Sequence, residues 1–296
     1  MTSKINLYPM RKAALGIILV IFTINAAAQG TVTAYRTETG ISYRPESTDA
    51  YTAEQCKLDI YYPADAKGFP TVIWFHGGGL TGGKRHIPEG LMEKGFAVVG
   101  VGYRLASKVS VSEIIRDAAR AAVWTLNNIG RYGGDPSGIY LAGHSAGGYL
   151  VSMIGLDKRW LEPYGVDPDD SFAAIIPYSG QSIVHFEDRK AKGIPITQPL
   201  VDDMAPMYHV RPDCAPILII SGDREMEMNG RYEENAFFWR LLRVTGHPDA
   251  RISELAGFNH GEMAQPGQLA PVKHNKEKEK ARVKQAAALS PQLTPT

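Results

Sequence analysis

A chain of 296 residues with 44% hydrophobic and 21% charged side chains is long enough to bury a sizeable core. Its formal net charge of +1 hides an uneven distribution: Lys4, Arg11 and Lys12 lie in residues 1–28, six further basic residues crowd Lys273–Lys284, and the body between them is acidic. An acidic body lacks the basic face that phosphate neutralisation requires, which excludes nucleic acid as the expected partner.

The N-terminus has the order of an export signal. Basic Lys4, Arg11 and Lys12 precede an apolar run from Ala13 to Ile24, and Ala26-Ala27-Ala28 offers a small-residue cleavage site before Gln29. The run is shorter than the roughly 20 apolar residues of a membrane span, so residues 1–28 are expected to be removed. The mature chain would then be periplasmic or secreted, with no membrane span. Cys56 and Cys214, the two cysteines, could pair in that compartment or serve as small buried apolar residues.

Past the signal, Thr31–Tyr43 and Gln55–Tyr62 alternate and carry β-formers, which predicts two antiparallel strands. From Thr71 short apolar strands alternate with helical stretches. Strands are predicted at Thr71–Phe75, Phe96–Val101, Ile139–Ala142, Phe172–Tyr178, Ile217–Ser221 and Ala250–Leu255. Helices are predicted near Ile87–Lys94, over Ser112–Ile129, from Ala146 to about Leu156, and near Arg231–Val244. Apolar strands separated by helices imply an α/β fold with a mostly parallel central sheet covered on both faces. One domain is expected over residues 29–264. Gln181–Arg211 is long, rich in Pro, Asp and Met, and aperiodic, as functional loops often are. Residues 265–296 read as a polar, solvated tail with a helical turn around Lys276–Ala287.

Three short motifs carry chemistry. Gly143-His144-Ser145-Ala146-Gly147 fits G-x-S-x-G, with an apolar strand running in and small residues opening a helix. That strand–turn–helix setting leaves the Ser145 hydroxyl exposed at a sharp turn, as a nucleophile must be. His76-Gly77-Gly78-Gly79 closes the strand TVIWF, and its glycines let successive N–H groups face one point where an oxyanion would form. Gly78 to Lys84 also fits a phosphate loop, but Arg85 stands where the magnesium-binding hydroxyl belongs. Gly257-Phe258-Asn259-His260-Gly261 follows the last strand and puts His260 where the base for such a serine falls in chain order. His76 and His144 are expected to hold loop geometry. For the orienting acid, Asp223 and Glu225 both lie just beyond the strand PILIIS. The sequence contains no Cys/His cluster with zinc spacing and no calcium-binding loop.

Together, HGGG, GGDPSGIYLAGHSAGGYL, GDRE and GFNHG resemble the α/β-hydrolase esterases over roughly Leu58 to Met263. The likeness is greatest to bacterial carboxylesterases related to hormone-sensitive lipase and to feruloyl or acetyl-xylan esterases. The resemblance implies Ser145 as nucleophile, His260 as base, and the N–H groups of Gly78, Gly79 and Ala146 as oxyanion donors. Its usual spacing selects Glu225 over Asp223 as the acid. It implies a carboxylic ester hydrolase working through an acyl-enzyme, without metal or organic cofactor, on a small-molecule or polysaccharide-linked ester. Formamidases and peptidases use the same triad on amides. A non-catalytic binding protein of the same fold would be favoured had Ser145 or His260 been replaced, and neither is. Substrate-lining candidates are Trp160, Tyr178, Phe186, Met204, Met207 and Tyr208. The family ends in an apolar helix after its histidine, whereas Gln265–Thr296 is polar, so one sheet face has no predicted cover.

Overall fold

Strand alternation sorts the apolar residues of this chain into two cores, one on each side of a single sheet. A computed structural model describes residues 34–228 and 230–289. The signal expected over residues 1–28 lies outside the described residues. In chain order the elements are β1 (Tyr35–Ser42), α1 (Ala50–Gln55), β2 (Lys57–Pro63), β3 (Phe69–Phe75), β4 (Ala97–Val101), α2 (Val111–Tyr132), β5 (Gly134–His144) and α3 (Ala146–Leu156). There follow α4 (Pro168–Ser171), β6 (Ala174–Tyr178), α5 (Phe186–Ala191), β7 (Ile217–Gly222), α6 (Arg231–Val244), β8 (Ala250–Leu255), α7 (Ala264–Gly267) and α8 (Ala270–Leu289). The eight strands form one sheet in the order β1-β2-β4-β3-β5-β6-β7-β8. β2 pairs antiparallel with β1 and β4, and all the other pairs are parallel.

The parallel strands are continuous apolar runs because both their faces are covered. Ile73, Phe75, Val99, Leu141, Ile175 and Ile219 point to one core, which α2, α3 and α6 close with residues such as Ile115, Leu150 and Phe238. Their neighbours Val72, Trp74, Val98, Tyr140, Ile176 and Ile220 point the other way. The helix α2 begins at a capping box, in which Ser110 and Glu113 satisfy each other's backbone N–H, and stops at Gly133 with φ 98°.

Two expectations are corrected. The helix near Ile87–Lys94 is a single 3₁₀ turn, Glu89–Leu91, since Pro88 is extended before it and Met92 after it. Of the two readings left open for the cysteines the structure takes the second: Cys56 and Cys214 are each buried and unpaired, acting as small apolar residues. The second correction concerns the tail. Residues 264–289 form α7 and α8, and these cover the second face of the sheet. Met263 and Val272 are buried against Trp74 and Tyr178 in that core. Polar contacts tie the rest down: the Gln268 side-chain carbonyl accepts from Gly90 N–H at 2.8 Å, and Tyr140 Oη donates to Asn275 Oδ1 at 3.0 Å. Arg251 pairs with Glu277 at 2.9 Å, and Lys278 Nζ donates to the Ala173 carbonyl at 2.5 Å. A few apolar anchors and many polar ties explain why the composition reads as solvated while the segment is docked. Among the described residues no helix is long and apolar enough to cross a membrane.

This docking has a direct consequence. Val272→Asp would bury an unpaired charge against the sheet, costing about 3 kcal/mol. The melting temperature should then fall by roughly 6–12 °C for a domain of this size. An unchanged melting temperature would mean that α8 contributes nothing to the fold.

Candidate active site

Three strand ends on one edge of the sheet supply the site. β5 runs into Ser145, whose φ of 55° and ψ of −114° make a sharp turn before α3 starts at Ala146. The turn needs glycine close by: a Cβ on Gly147 would lie 2.1 Å from the Phe75 carbonyl oxygen. That contact lets α3 begin directly against the end of β3 and leaves the Ser145 side chain projecting. The Ser145 N–H is anchored on the Tyr178 carbonyl at 2.8 Å.

The loop after β8 brings His260 to this serine. Its Nε2 lies 2.9 Å from Ser145 Oγ, and its Nδ1 lies 2.8 Å from Glu227 Oε2. A carboxylate can only accept, so Nδ1 carries the proton, Nε2 is left as acceptor, and the serine hydroxyl donates to it. His144 Nε2–H donates to the His260 carbonyl at 2.8 Å and so clips this loop to the elbow. Burial, with His260 alongside, pushes the His144 imidazole down to about 4, which keeps it a neutral donor. His76 likewise falls to about 4 through burial, and its ring stacks on Tyr103 at 4.2 Å beneath the glycine loop.

The carboxylate facing His260 is Glu227; neither Glu225 nor Asp223 reaches it. After Gly222 the chain makes a full turn, with the N–H groups of both Met226 and Glu227 donating to the Asp223 carbonyl. The turn carries Glu225 out to solvent and returns Glu227 to the strand end, where Gly222 N–H donates to its Oε1 at 3.1 Å. Asp223 builds the turn. Its side chain accepts from Glu225 N–H at 3.0 Å and from Gly257 N–H at 2.7 Å, joining the acid loop to the histidine loop. The sequence signal for this was the capping aspartate followed four residues later by Glu227, one helical turn on. Burial pushes Glu227 up, but hydrogen bonds from His260 and Ser179 outweigh it and hold the carboxyl at about 2.

Beside Ser145 lies the glycine loop. A Cβ on Gly77 would sit 3.3 Å from Ser145 Cβ, so the loop runs directly past Ser145. Gly78, with φ 113°, folds so tightly that a Cβ there would lie 2.4 Å from the Gly82 carbonyl oxygen. Among the described residues no acceptor takes the N–H of Gly78 or Gly79. Ala146, as the first residue of α3, has no intrahelical partner for its N–H. The ring of Phe186, at the start of α5, covers Gly79, with Cζ 2.9 Å from a Cβ built there. Of the other lining candidates, Trp160, Tyr178 and Met207 are core residues, Met204 packs partly against the core, and Tyr208 is exposed. Among the described residues no three His, Cys, Asp or Glu side chains converge as a metal site would require.

Residues 58–231, more than half of the chain and including Ser145 and the glycine loop, match the family model BD-FAE. The chain belongs to the BD-FAE family. Among its relatives, Esterase LipC of Mycobacterium tuberculosis is 26% identical over 73% of this chain and 60% of its own length. Kynurenine formamidase of Danio rerio is 36% identical over 42% of each chain. The chain thus spans less than two thirds of the length of the curated relatives it matches. A truncated carbohydrate esterase from gut microbiota superposes with a TM-score of 0.66 at 19% identity, covering 84% of this chain and 98% of that one. Esterase B of Lactobacillus rhamnosis gives 0.65 at 23%, covering 84% and 90%. At such identities the likeness is one of fold, and that fold is the α/β-hydrolase.

The arrangement generates two predictions for this BD-FAE chain. A fluorophosphonate probe should label Ser145, and Glu227→Gln should slow labelling by about 10³–10⁴ because the imidazole loses its orienting carboxylate. Glu225→Gln should leave the rate unchanged; equal slowing by both would contradict the assignment. The second concerns acid stability. A carboxyl held at about 2, below its ordinary 4.5, stabilises the fold fully above the ordinary value and progressively less as pH falls through 2. The melting-temperature gap between wild type and Glu227→Gln should therefore close between pH 4.5 and 2, and a constant gap would refute it.

Proposed function

We propose that this protein is an exported carboxylic ester hydrolase that works through an acyl-enzyme on Ser145. The observation that carries the reading is the continuous hydrogen-bond relay from Ser145 through His260 to Glu227, at 2.9 and 2.8 Å, beside unsatisfied backbone N–H groups. In the first step His260 takes the serine proton as Ser145 Oγ attacks the ester carbonyl. The oxyanion that forms is met by the N–H groups of Gly78, Gly79 and Ala146, and each such donor is worth about 10²–10³ in kcat. His260 then returns the proton to the departing alcohol, and a water activated by the same imidazole hydrolyses the acyl-enzyme. Glu227 stays ionised throughout and stabilises the imidazolium.

The esterase and carbohydrate-esterase names among relatives and structural neighbours support an ester on a small molecule or on a polysaccharide. The export signal read at residues 1–28 fits a substrate met outside the cytoplasm, in the periplasm or medium. A second reading, hydrolysis of an N-formyl amide, is favoured by the 36% identity to the zebrafish formamidase.

One panel separates the two: nitrophenyl esters of increasing acyl length, acetylated and feruloylated xylan, and an N-formyl amide. The expected result is kcat/KM at least about tenfold higher on an ester than on the amide, abolished in Ser145→Ala. Faster turnover of the amide would replace the esterase reading with the amidase one.

A further inference from the structure

We propose that Ser179 is a positioning residue for this site, its hydroxyl fixing the Glu227 carboxylate against His260. The inference rests on the hydrolase reading above and adds a side chain that no sequence motif singled out.

Ser179 follows β6, is fully buried, and has a left-handed backbone with φ 44°. Its N–H donates to the Ile220 carbonyl at 2.7 Å, and its carbonyl accepts from Arg231 Nη1 at 2.5 Å. The bend is imposed by the fold, because Gly180 beside it meets α3 so closely that a Cβ on Gly148 would lie 2.7 Å from Gly180 Cα. Glycine would adopt this backbone without steric penalty, whereas serine pays one. Ser145 is another of the few non-glycine residues with positive φ, and there too the side chain is what the position uses. What Ser179 gains in return is one hydrogen bond: its Oγ–H donates to Glu227 Oε1.

That bond completes the coordination of a buried charge. Glu227 Oε2 accepts from His260 Nδ1 at 2.8 Å and from Met228 N–H at 3.0 Å. Its Oε1 accepts from Gly222 N–H at 3.1 Å and from Ser179. Gly222 N–H also reaches Ser179 Oγ at 3.4 Å, so the hydroxyl accepts on one side and sends its single proton to the carboxylate. Of the four donors, two are backbone and one is the catalytic imidazole. Ser179 is therefore the side chain free to set the rotation of the carboxylate about its own axis. The other charged or titratable groups at this point are His144, whose ring centre is 4.9 Å from that of His260, and Arg231, which is paired with Glu234 at 2.5 Å.

The test compares Ser179→Gly and Ser179→Ala with wild type. Both variants lose the same hydrogen bond but only glycine relieves the backbone, so the Gly variant should melt above the Ala variant and both should lose about 10–100-fold in kcat with KM within about twofold. A carboxylate short of one donor is more basic and holds the imidazolium more strongly, so the acid limb of the kcat profile should move to higher pH. In the resting proteins, the low-field proton resonance of the His260 Nδ1–H should shift in both variants. A folded Ser179→Gly protein with kcat within twofold of wild type and an unmoved resonance would overturn the proposal. So would a loss confined to KM. If wild type hydrolyses no ester at all, the hydrolase reading fails, while the resonance still decides whether Ser179 positions Glu227.

Discussion

The imidazole of His260 is where three separate stretches of chain are made to meet, and the geometry of the site depends on its two hydrogen bonds. Ser145 arrives on the turn after β5, Glu227 on the turn after β7, and His260 on the loop after β8. Parallel strands put all three turns on one edge of the sheet, which solves the problem of bringing distant residues together. What remains is precision of a few tenths of an ångström, and local ties supply it. His144 holds the His260 carbonyl, Asp223 joins the Glu227 turn to Gly257, and Tyr178 anchors the N–H of Ser145. Each loop is thus fastened to at least one other, so no single turn can drift without pulling a neighbour.

The two faces of the sheet are closed by different means. One carries long helices whose apolar stripes fill the space, with Phe238 and Leu242 of α6 in the same core as the buried faces of α2 and α3. The other is covered by a 3₁₀ turn and by the C-terminal helices, where Val272 and Met263 are the apolar anchors and Gln268, Asn275, Glu277 and Lys278 make polar ties. The histidine loop leads directly into this cover, so the seating of α7 and α8 bears on the placement of His260.

Much of this was legible in the residues. Apolar strand runs gave the sheet, and the elbow and the glycine loop were recognisable because backbone sterics demand glycine at fixed places. The helix over Arg231–Val244 and the strand Ala250–Leu255 follow from periodicity alone. The acid was harder. Its position depends on how a turn closes, and Asp223, Glu225 and Glu227 share one short stretch in which the turn sends alternate carboxylates outward or inward. The C-terminal helices were hidden for a related reason. Their docking uses hydrogen bonds from residues that look solvated in a composition count, with few large apolar side chains to reveal a buried face. Ser179 has no motif at all, because its role depends on a partner 48 positions away.

In the proposed reaction an ester's acyl group is transferred to Ser145 before water releases it. Acid quenching of a nitrophenyl acetate reaction during turnover, followed by peptide mass analysis, tests this most directly. The expected result is one acetyl group on the peptide containing Ser145, absent from Ser145→Ala and persisting longer when Glu227 is replaced by Gln. Nitrophenol release with no acetyl group on that peptide, or with the same labelling in Ser145→Ala, would contradict it.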